Sequence, residues 1–252
     1  MPLVATPAIV LSTLRYGESS KIVRLATREH GVQSAIAQGA LRPKSRFGAA
    51  LQVLSEGQAQ YLAKEHRELH VLTAFDLQRL PVGLTADVAR YATGSALAEV
   101  MLRFAPADPH PESYDLFRDA LRALEDAPAA EVDALGFRLL WQVVSVLGFA
   151  PSLETCVRDG TRLPAGALPF NTREGGALCP ACAAEHGATR LPADARADPT
   201  ARLDAGAALP ALDARHGAAH RRLLARYVRY HLAEGAALPA LEFWLRRPWA
   251  PA

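Results

Sequence analysis

At Pro81 the apolar pattern of this chain changes period, which points to a β part followed by an α part. Before it, apolar and β-branched runs over 8–14, 21–27, 32–37, 51–63 and 69–79 are broken by Tyr16-Gly17-Glu18-Ser19, Glu29-His30-Gly31 and Gly39. Five short strands within residues 1–80 predict a small barrel of the OB type, because closing a sheet on itself removes its exposed edges. After it, Leu84, Val88, Ala92, Leu97, Met101 and Phe104 recur at helical spacing, with Thr85 or Asp87 placed to cap the first turn. A second helix is expected between Pro111 and Pro128, and a third through Leu135, Leu139, Val143 and Leu147, closed by Gly148 and Pro151. The fold class is α+β.

From 151 to 210 the chain is rich in Gly, Pro, Ala and Asp, lacks periodicity and carries all three cysteines. A stretch this long without its own secondary structure needs something to hold it. Cys156-Val157-Arg158-Asp159 and Cys179-Pro180-Ala181-Cys182 have the spacing of a zinc ribbon in which Asp159 stands where a fourth cysteine would be. We expect zinc on Cys156, Asp159, Cys179 and Cys182, with His186 the other candidate for the fourth ligand. The alternative is a set of reduced cysteines without metal. Beyond 210, His216, His220, Leu223, Leu224, Tyr227, Val228 and Leu232 lie on successive turns of a helix made basic by Arg221, Arg222, Arg226 and Arg229. The expected domains are a barrel over 1–80, a helical part over 81–150 and 205–252, and a finger-like insertion over 151–204.

Composition narrows the function classes. No apolar run approaches the roughly 18 uncharged residues that a membrane span requires, and the start lacks the basic-then-apolar layout of a signal peptide. An odd, small number of cysteines suits a reducing compartment, so a cytoplasmic location is expected. Residues 1–80 and 201–252 are net basic and 81–200 net acidic, which suits a polyanion-facing surface built from the two ends, or equally charges that solvate ordinary surfaces. Nucleophile elbow, phosphate-cradling loop, zincin helix and dinucleotide fingerprint are all missing, so the chain is not expected to be an enzyme.

Arg42-Pro43-Lys44-Ser45-Arg46-Phe47 concentrates three cations and an aromatic between the third and fourth strands. Exposed cations suit phosphates and a flat ring suits an unstacked base. Arg15, Tyr16, Lys21, Arg24 and Arg28 in the first hairpin extend the same face if the barrel brings the two together. The other reading is a solvated loop that Phe47 anchors to the core.

Read together, Tyr16-Gly17-Glu18-Ser19-Ser20-Lys21-Ile22-Val23, Thr27-Arg28-Glu29-His30-Gly31 and 37–47 resemble in order and spacing the amino-terminal domain of the bacterial RecO family. Residues 147–156, Phe170, Gly175-Gly176 and Cys179-Pro180-Ala181-Cys182 resemble that family's zinc-finger region. The resemblance implies a recombination mediator that binds single- and double-stranded DNA and anneals complementary strands. With RecR it would help RecA replace single-strand-binding protein. It places Arg42, Lys44 and Arg46 at phosphate contacts, Lys21, Arg24 and Arg28 behind them, and Phe47 and Tyr16 as stacking groups. Asp159 departs from the family's cysteine. The alternative function is a zinc-containing OB-fold protein that binds RNA or regulates.

Overall fold

Alternation along the first five segments produces the five expected strands, β1 (Leu3–Tyr16), β2 (Ser20–Thr27), β3 (Gly31–Ala37), β4 (Glu56–Leu62) and β5 (Leu69–Arg79). They close a barrel in the order β1-β2-β3-β5-β4, antiparallel except where β3 meets β5. The computed structural model describes residues 2–63, 68–191, 214–232 and 236–249. These fall into two compact units, one drawn from 1–126 and 248–252, the other from 127–247.

Inside the barrel pack Ala8, Val10, Val23, Leu25, Ala35, Tyr61 and Leu72, each at most 2% exposed. Burial pushes the Tyr61 hydroxyl up to about 12, with Glu29 adding to the shift. Leu51–Ser55, expected to begin the fourth strand, instead forms turns, and Phe47, Ala50 and Leu51 reach into the core from this connection. A bulge in β1 explains part of that detour. Register slips between Val10 and Ser12, leaving Leu11 out of the β2 ladder, and the Val10 amide and carbonyl bond to Ser55 O (3.0 Å) and Leu54 N (2.8 Å). The bulge also flips the faces of β1, so that Ser12 and Leu14 point outward although Ala8 and Val10 point in.

Helix α1 (Val82–Thr85) leads into α2 (Val88–Phe104), whose first turn is capped as expected by Asp87, which accepts a 2.8 Å hydrogen bond from Arg90 N. Helix α3 (Pro111–Asp126) follows, apolar on the side of Phe117, Leu121 and Leu124. Ile9, Leu11 and Ala26, on the outer side of the barrel, are buried where α2 and α3 pack on β1 and β2. Gly31 is needed at the foot of β3: its φ is +64°, and a Cβ there would lie 2.4 Å from Asp108 O.

The second unit begins with α4 (Val132–Val144), which ends in a wider turn that Gly148 closes at φ +89°. Ala129–Phe149 is long and apolar enough to cross a membrane by composition, yet Phe137, Leu140, Trp141, Val143 and Val144 are buried as this unit's core. The stretch expected to be loop-like holds more order than its composition predicts. β6 (Leu168–Asn171) pairs with β7 (Gly176–Ala177) and β8 (Thr189–Leu191), and α5 (Pro180–His186) starts at the Cys179 cap. The rest of the expected insertion, 192–204, and the chain to 213 lie outside the described residues. The expected basic helix is α6 (Ala214–His231); α7 (Pro239–Arg246) was not legible in the apolar pattern and packs on it. Trp244 meets Phe137 edge to face at 4.9 Å between ring centres.

Candidate nucleic-acid surface and metal centre

The cationic loop follows β3 directly as a succession of turns. Ala40, Phe47 and Ala50 are buried, whereas Arg42, Lys44 and Arg46 are exposed. Burying a phenylalanine contributes about 2–3 kcal/mol, enough to pin a loop of this size. Phe47 is therefore core and only 2% exposed: it offers no face to a base, which corrects the stacking role expected of it. Its ring instead supports the Arg46 guanidinium, 5.0 Å above its centre. The loop is tied to the first hairpin by a 2.8 Å hydrogen bond from Leu41 N to Ser19 O, and Lys21 Nζ donates to Leu51 O at 3.4 Å. Arg15 and Lys21 are cross-strand neighbours. Among the described residues no carboxylate pairs with Arg15, Arg42, Lys44 or Arg46. Tyr16 is 53% exposed at the hairpin's end.

The other expected cations divide. Arg24 sits outward on β2 between Ser12 and Ser34 of the neighbouring strands. Arg28 is turned away to α3, where it grips Asp115. The structure thus ties the cationic loop of Arg42, Lys44 and Arg46 to the hairpin that carries Arg15 and Lys21, leaves Tyr16 on the other face of β1, and separates Arg28 from them.

On α6, Arg222 and Arg226 are exposed, Arg229 lies 3.4 Å from Glu242 and Arg221 lies over the Phe137 ring at 5.9 Å. Burial, reinforced by Arg247, pulls the Arg221 guanidinium below its ordinary value. A hollow of about 290 Å³ between α6 and α7 is lined by Arg221, Arg222, Arg229, Leu245 and Arg246, with Glu242 at its wall.

The finger brings its donors together through tight backbone turns. Cys156 N donates to Thr161 O at 2.8 Å and Gly160 N to Cys156 O at 3.0 Å, folding Asp159 back beside Cys156. Gly176 lets the two halves meet, since a Cβ there would lie 2.4 Å from Ser152 O. Cys179 caps α5 and Cys182 lies one turn along, so both sulfurs face the same point. The donor atoms of Cys156, Asp159, Cys179 and Cys182 all lie within 4.8 Å of one another. Asp159 Oδ1 accepts from Thr161 N at 2.9 Å, leaving Oδ2 3.2 Å from Cys179 Sγ and 3.5 Å from Cys182 Sγ. His186 is outside this group; its carbonyl accepts from Asn171 Nδ2 at 3.2 Å.

Electrostatics mark this cluster as unbalanced. The Thr161 amide, then the Cys179 thiol, hold the Asp159 carboxyl far below the usual range. Cys182 is pushed up to about 12, first by its Cys179 neighbour, then by burial, Cys156 and Asp159. At Cys156, burial works to raise the thiol, but amides of Cys179, Asp159 and Arg158 outweigh it and pull it down. Three thiols and one ionised carboxylate this close favour a divalent cation, and three sulfurs with one single-oxygen carboxylate suit tetrahedral zinc. Zinc here would supply folding energy and no reactive position, because all four corners are protein ligands.

Two contacts that the sequence reading did not find hold the finger to α6. His231 Nε2 lies 2.6 Å from Thr172 O, and Tyr227 OH donates to Gly175 O at 3.3 Å. Within the finger, Asn171 Oδ1 accepts from Arg173 N at 2.8 Å while Nδ2 donates to Gly187 O at 2.7 Å, linking the 171–176 turn to the end of α5. An asparagine ahead of Gly175-Gly176 was the available signal.

Comparison with known proteins agrees with this architecture. A family model described as Recombination protein O N terminal matches residues 1–80, and one described as Recombination protein O C terminal matches 85–238. The chain is 33% identical over 246 residues to the DNA repair protein RecO of Streptomyces griseus, covering 93% of this chain and 96% of that one. It is 35% identical over 243 residues to that of a Nocardioides species, covering 90% and 94%. To that of Rubrobacter xylanophilus it is 32% identical over 245 residues, covering 94% and 95%.

Proposed function

This chain belongs to the recombination protein O family of DNA repair proteins, and from that premise we propose that it binds single- and double-stranded DNA and anneals complementary strands. With RecR it helps RecA displace single-strand-binding protein, acting in the cytoplasm at the nucleoid. It works by binding, without turnover. The observation that carries this reading is the set of exposed cations, Arg15, Arg42, Lys44 and Arg46, that have no carboxylate partner among the described residues, on a loop and hairpin fixed to a closed barrel.

The mechanism is electrostatic. Cations held at fixed spacing neutralise phosphates and release their counterions, so affinity falls steeply with salt and depends little on base sequence. Two strands on one such surface lose part of their mutual repulsion, which brings complementary segments within reach of each other. Lys21 and Arg24 stand behind the loop, and Arg28 serves structure. A division of labour follows: 1–80 holds DNA, 81–150 with 205–252 docks partners, and zinc on Cys156, Asp159, Cys179 and Cys182 orders the described part of the finger. The basic hollow between α6 and α7 is the place for an acidic protein segment such as the tail of single-strand-binding protein.

Fluorescence-monitored annealing of complementary oligonucleotides tests this reading, comparing wild type with a triple Arg42→Ala, Lys44→Ala, Arg46→Ala variant over a salt series. Wild type should accelerate annealing, and the folded variant should lose most of the effect and about 2 units of salt slope on single strands. Wild type that neither binds nor anneals DNA at low salt, or that prefers RNA, overturns it.

A further inference from the structure

The finger gathers every thiol of the chain at one point. Cys156, Cys179 and Cys182 are its only cysteines, and with Asp159 their donor atoms lie within 4.8 Å of one another. The four corners are not equally protected. Cys156 is 2% exposed and Cys179 7%, whereas Cys182 is half-buried and Asp159 exposed. Cys156 is also fixed through its backbone, which donates to Thr161 O at 2.8 Å and accepts from Gly160 N at 3.0 Å, while Val157 N donates to Ala177 O at 3.0 Å. Cys179 and Cys182 stand together at the start of α5, where Cys182 N lies 3.5 Å from Cys179 Sγ.

This arrangement has a direction built into it. A peroxide arriving from solvent meets Cys182 first, because Cys156 and Cys179 are covered and thiol oxidation follows exposure. The nearest partner along the chain is Cys179, at the Cys-x-x-Cys spacing of reversible dithiol pairs, so a bond between them closes a ring over Pro180 and Ala181 alone. The ligand set then decides the fate of a bound metal. In a four-cysteine finger the loss of one pair leaves a second pair of thiolates. Here it leaves Cys156 and a carboxylate whose other oxygen already accepts from Thr161 N at 2.9 Å. One thiolate and one oxygen hold zinc far more weakly than a full tetrahedral set.

We propose that Cys179 and Cys182 are a reversible oxidation site, at which peroxide forms a disulfide and zinc is released. This rests on the zinc reading above and goes beyond it, giving the finger a response that a purely structural centre lacks. The Cys182 thiolate attacks one peroxide oxygen; an S–O bond forms, the O–O bond breaks and hydroxide leaves. The Cys179 thiolate then attacks that sulfur; the S–S bond forms, the S–O bond breaks and a second hydroxide leaves. The two thiolates together lose two electrons, and the peroxide gains them. Asp159, standing where a fourth thiolate would, is what lets a single disulfide empty the site. A thiol reductant reverses the bond and restores the donor set.

The test treats the full chain, loaded with zinc, with hydrogen peroxide beside a chromogenic chelator, and maps its peptides by mass spectrometry. Zinc should appear in step with a Cys179–Cys182 disulfide, read as a loss of about 2 Da, and dithiothreitol with added zinc should restore the starting state. At one disulfide per chain, Asp159→Cys should keep more of its zinc against the same chelator than wild type does. Zinc retained after the thiols are oxidised, or a disulfide that does not join Cys179 to Cys182, overturns the proposal. Sulfinic or sulfonic products in place of a disulfide overturn its reversibility, and equal retention by Asp159→Cys and wild type overturns the part given to Asp159. A chain that takes up no zinc overturns the metal reading and the release with it, while the peptide map of the same sample still decides whether the pair forms.

Discussion

Arg28 closes a two-point contact on Asp115, with Nε 3.2 Å from Oδ1 and Nη2 3.0 Å from Oδ2. A side chain that the sequence groups with the cations expected to contact DNA is thereby committed to holding α3 on the barrel. Its guanidinium is raised, first by the hydrogen bond to Asp115, and the Asp115 carboxyl is lowered by the same bond.

Arg28→Ala should therefore lower the thermal midpoint and change single-strand affinity less than about threefold, against a far larger loss for the Arg42, Lys44, Arg46 triple variant. Melting curves and anisotropy on the same preparations check it. An Arg28→Ala protein that is as stable as wild type but does not bind DNA would reverse the assignment.

The same pair sets a pH dependence. A carboxylate whose folded value is depressed contributes stability that is complete above its unfolded value, about 4, and is lost as pH falls through the lower folded value. Wild type should be more stable than Asp115→Asn at pH 6, and the gap should close below about pH 4. Thermal midpoints of both proteins across that range make the comparison.

Metal should order the finger. Removing zinc with a chelator should lower the melting temperature and raise amide exchange over 152–187, and stoichiometric zinc should restore both. Loss of an outer-shell partner costs about 10–100-fold in metal affinity, so Asp159→Ala, which removes a ligand, should weaken binding by more than about tenfold. Asp159→Cys, which completes a four-thiolate set, should tighten it. Competition with a chromogenic chelator reads all three proteins.

The clamp between α6 and the finger makes its own prediction. Tyr227 is buried, and burial pushes its hydroxyl up to about 12, so at neutral pH it is a donor to Gly175 O. Tyr227→Phe should cost about 0.5–1.5 kcal/mol and increase exchange in the 171–176 turn, with zinc stoichiometry unchanged. Denaturant melts and exchange mass spectrometry would show it.

Gly31→Ala places a methyl against Asp108 O on a backbone at φ +64°. Strain of this kind costs about 1–3 kcal/mol before the clash is added, so the variant should melt well below wild type. An alanine tolerated there would mean that the 105–110 connection yields readily.

Local pattern decided a good deal here. Alternation of apolar residues fixes which segments become strands, since one face of each must be buried, and the switch to helical spacing after Pro81 marks where the barrel's strands end. Cys156, Asp159, Cys179 and Cys182 were readable as a donor set because metal ligands come at short, recurrent spacings. Asp87 was readable as a cap because its partner amide is three residues away. What local pattern cannot carry is decided by contacts between residues far apart in the chain. Phe47 and Arg46 are adjacent, yet one became core and the other surface because the space inside the barrel end was set by strands that come before and after them. Arg28 is drawn to Asp115, 87 positions away, with its neighbour Glu29 only a looser 3.8 Å partner. The short strands and α5 of the finger were hidden by a Gly- and Pro-rich composition, because backbone turns and Asn171 hold them where apolar periodicity does not. Ser12 and Leu14 turn outward only because the bulge at Leu11 shifts the register of β1, for a slip of one residue turns each following side chain of a strand to the other face.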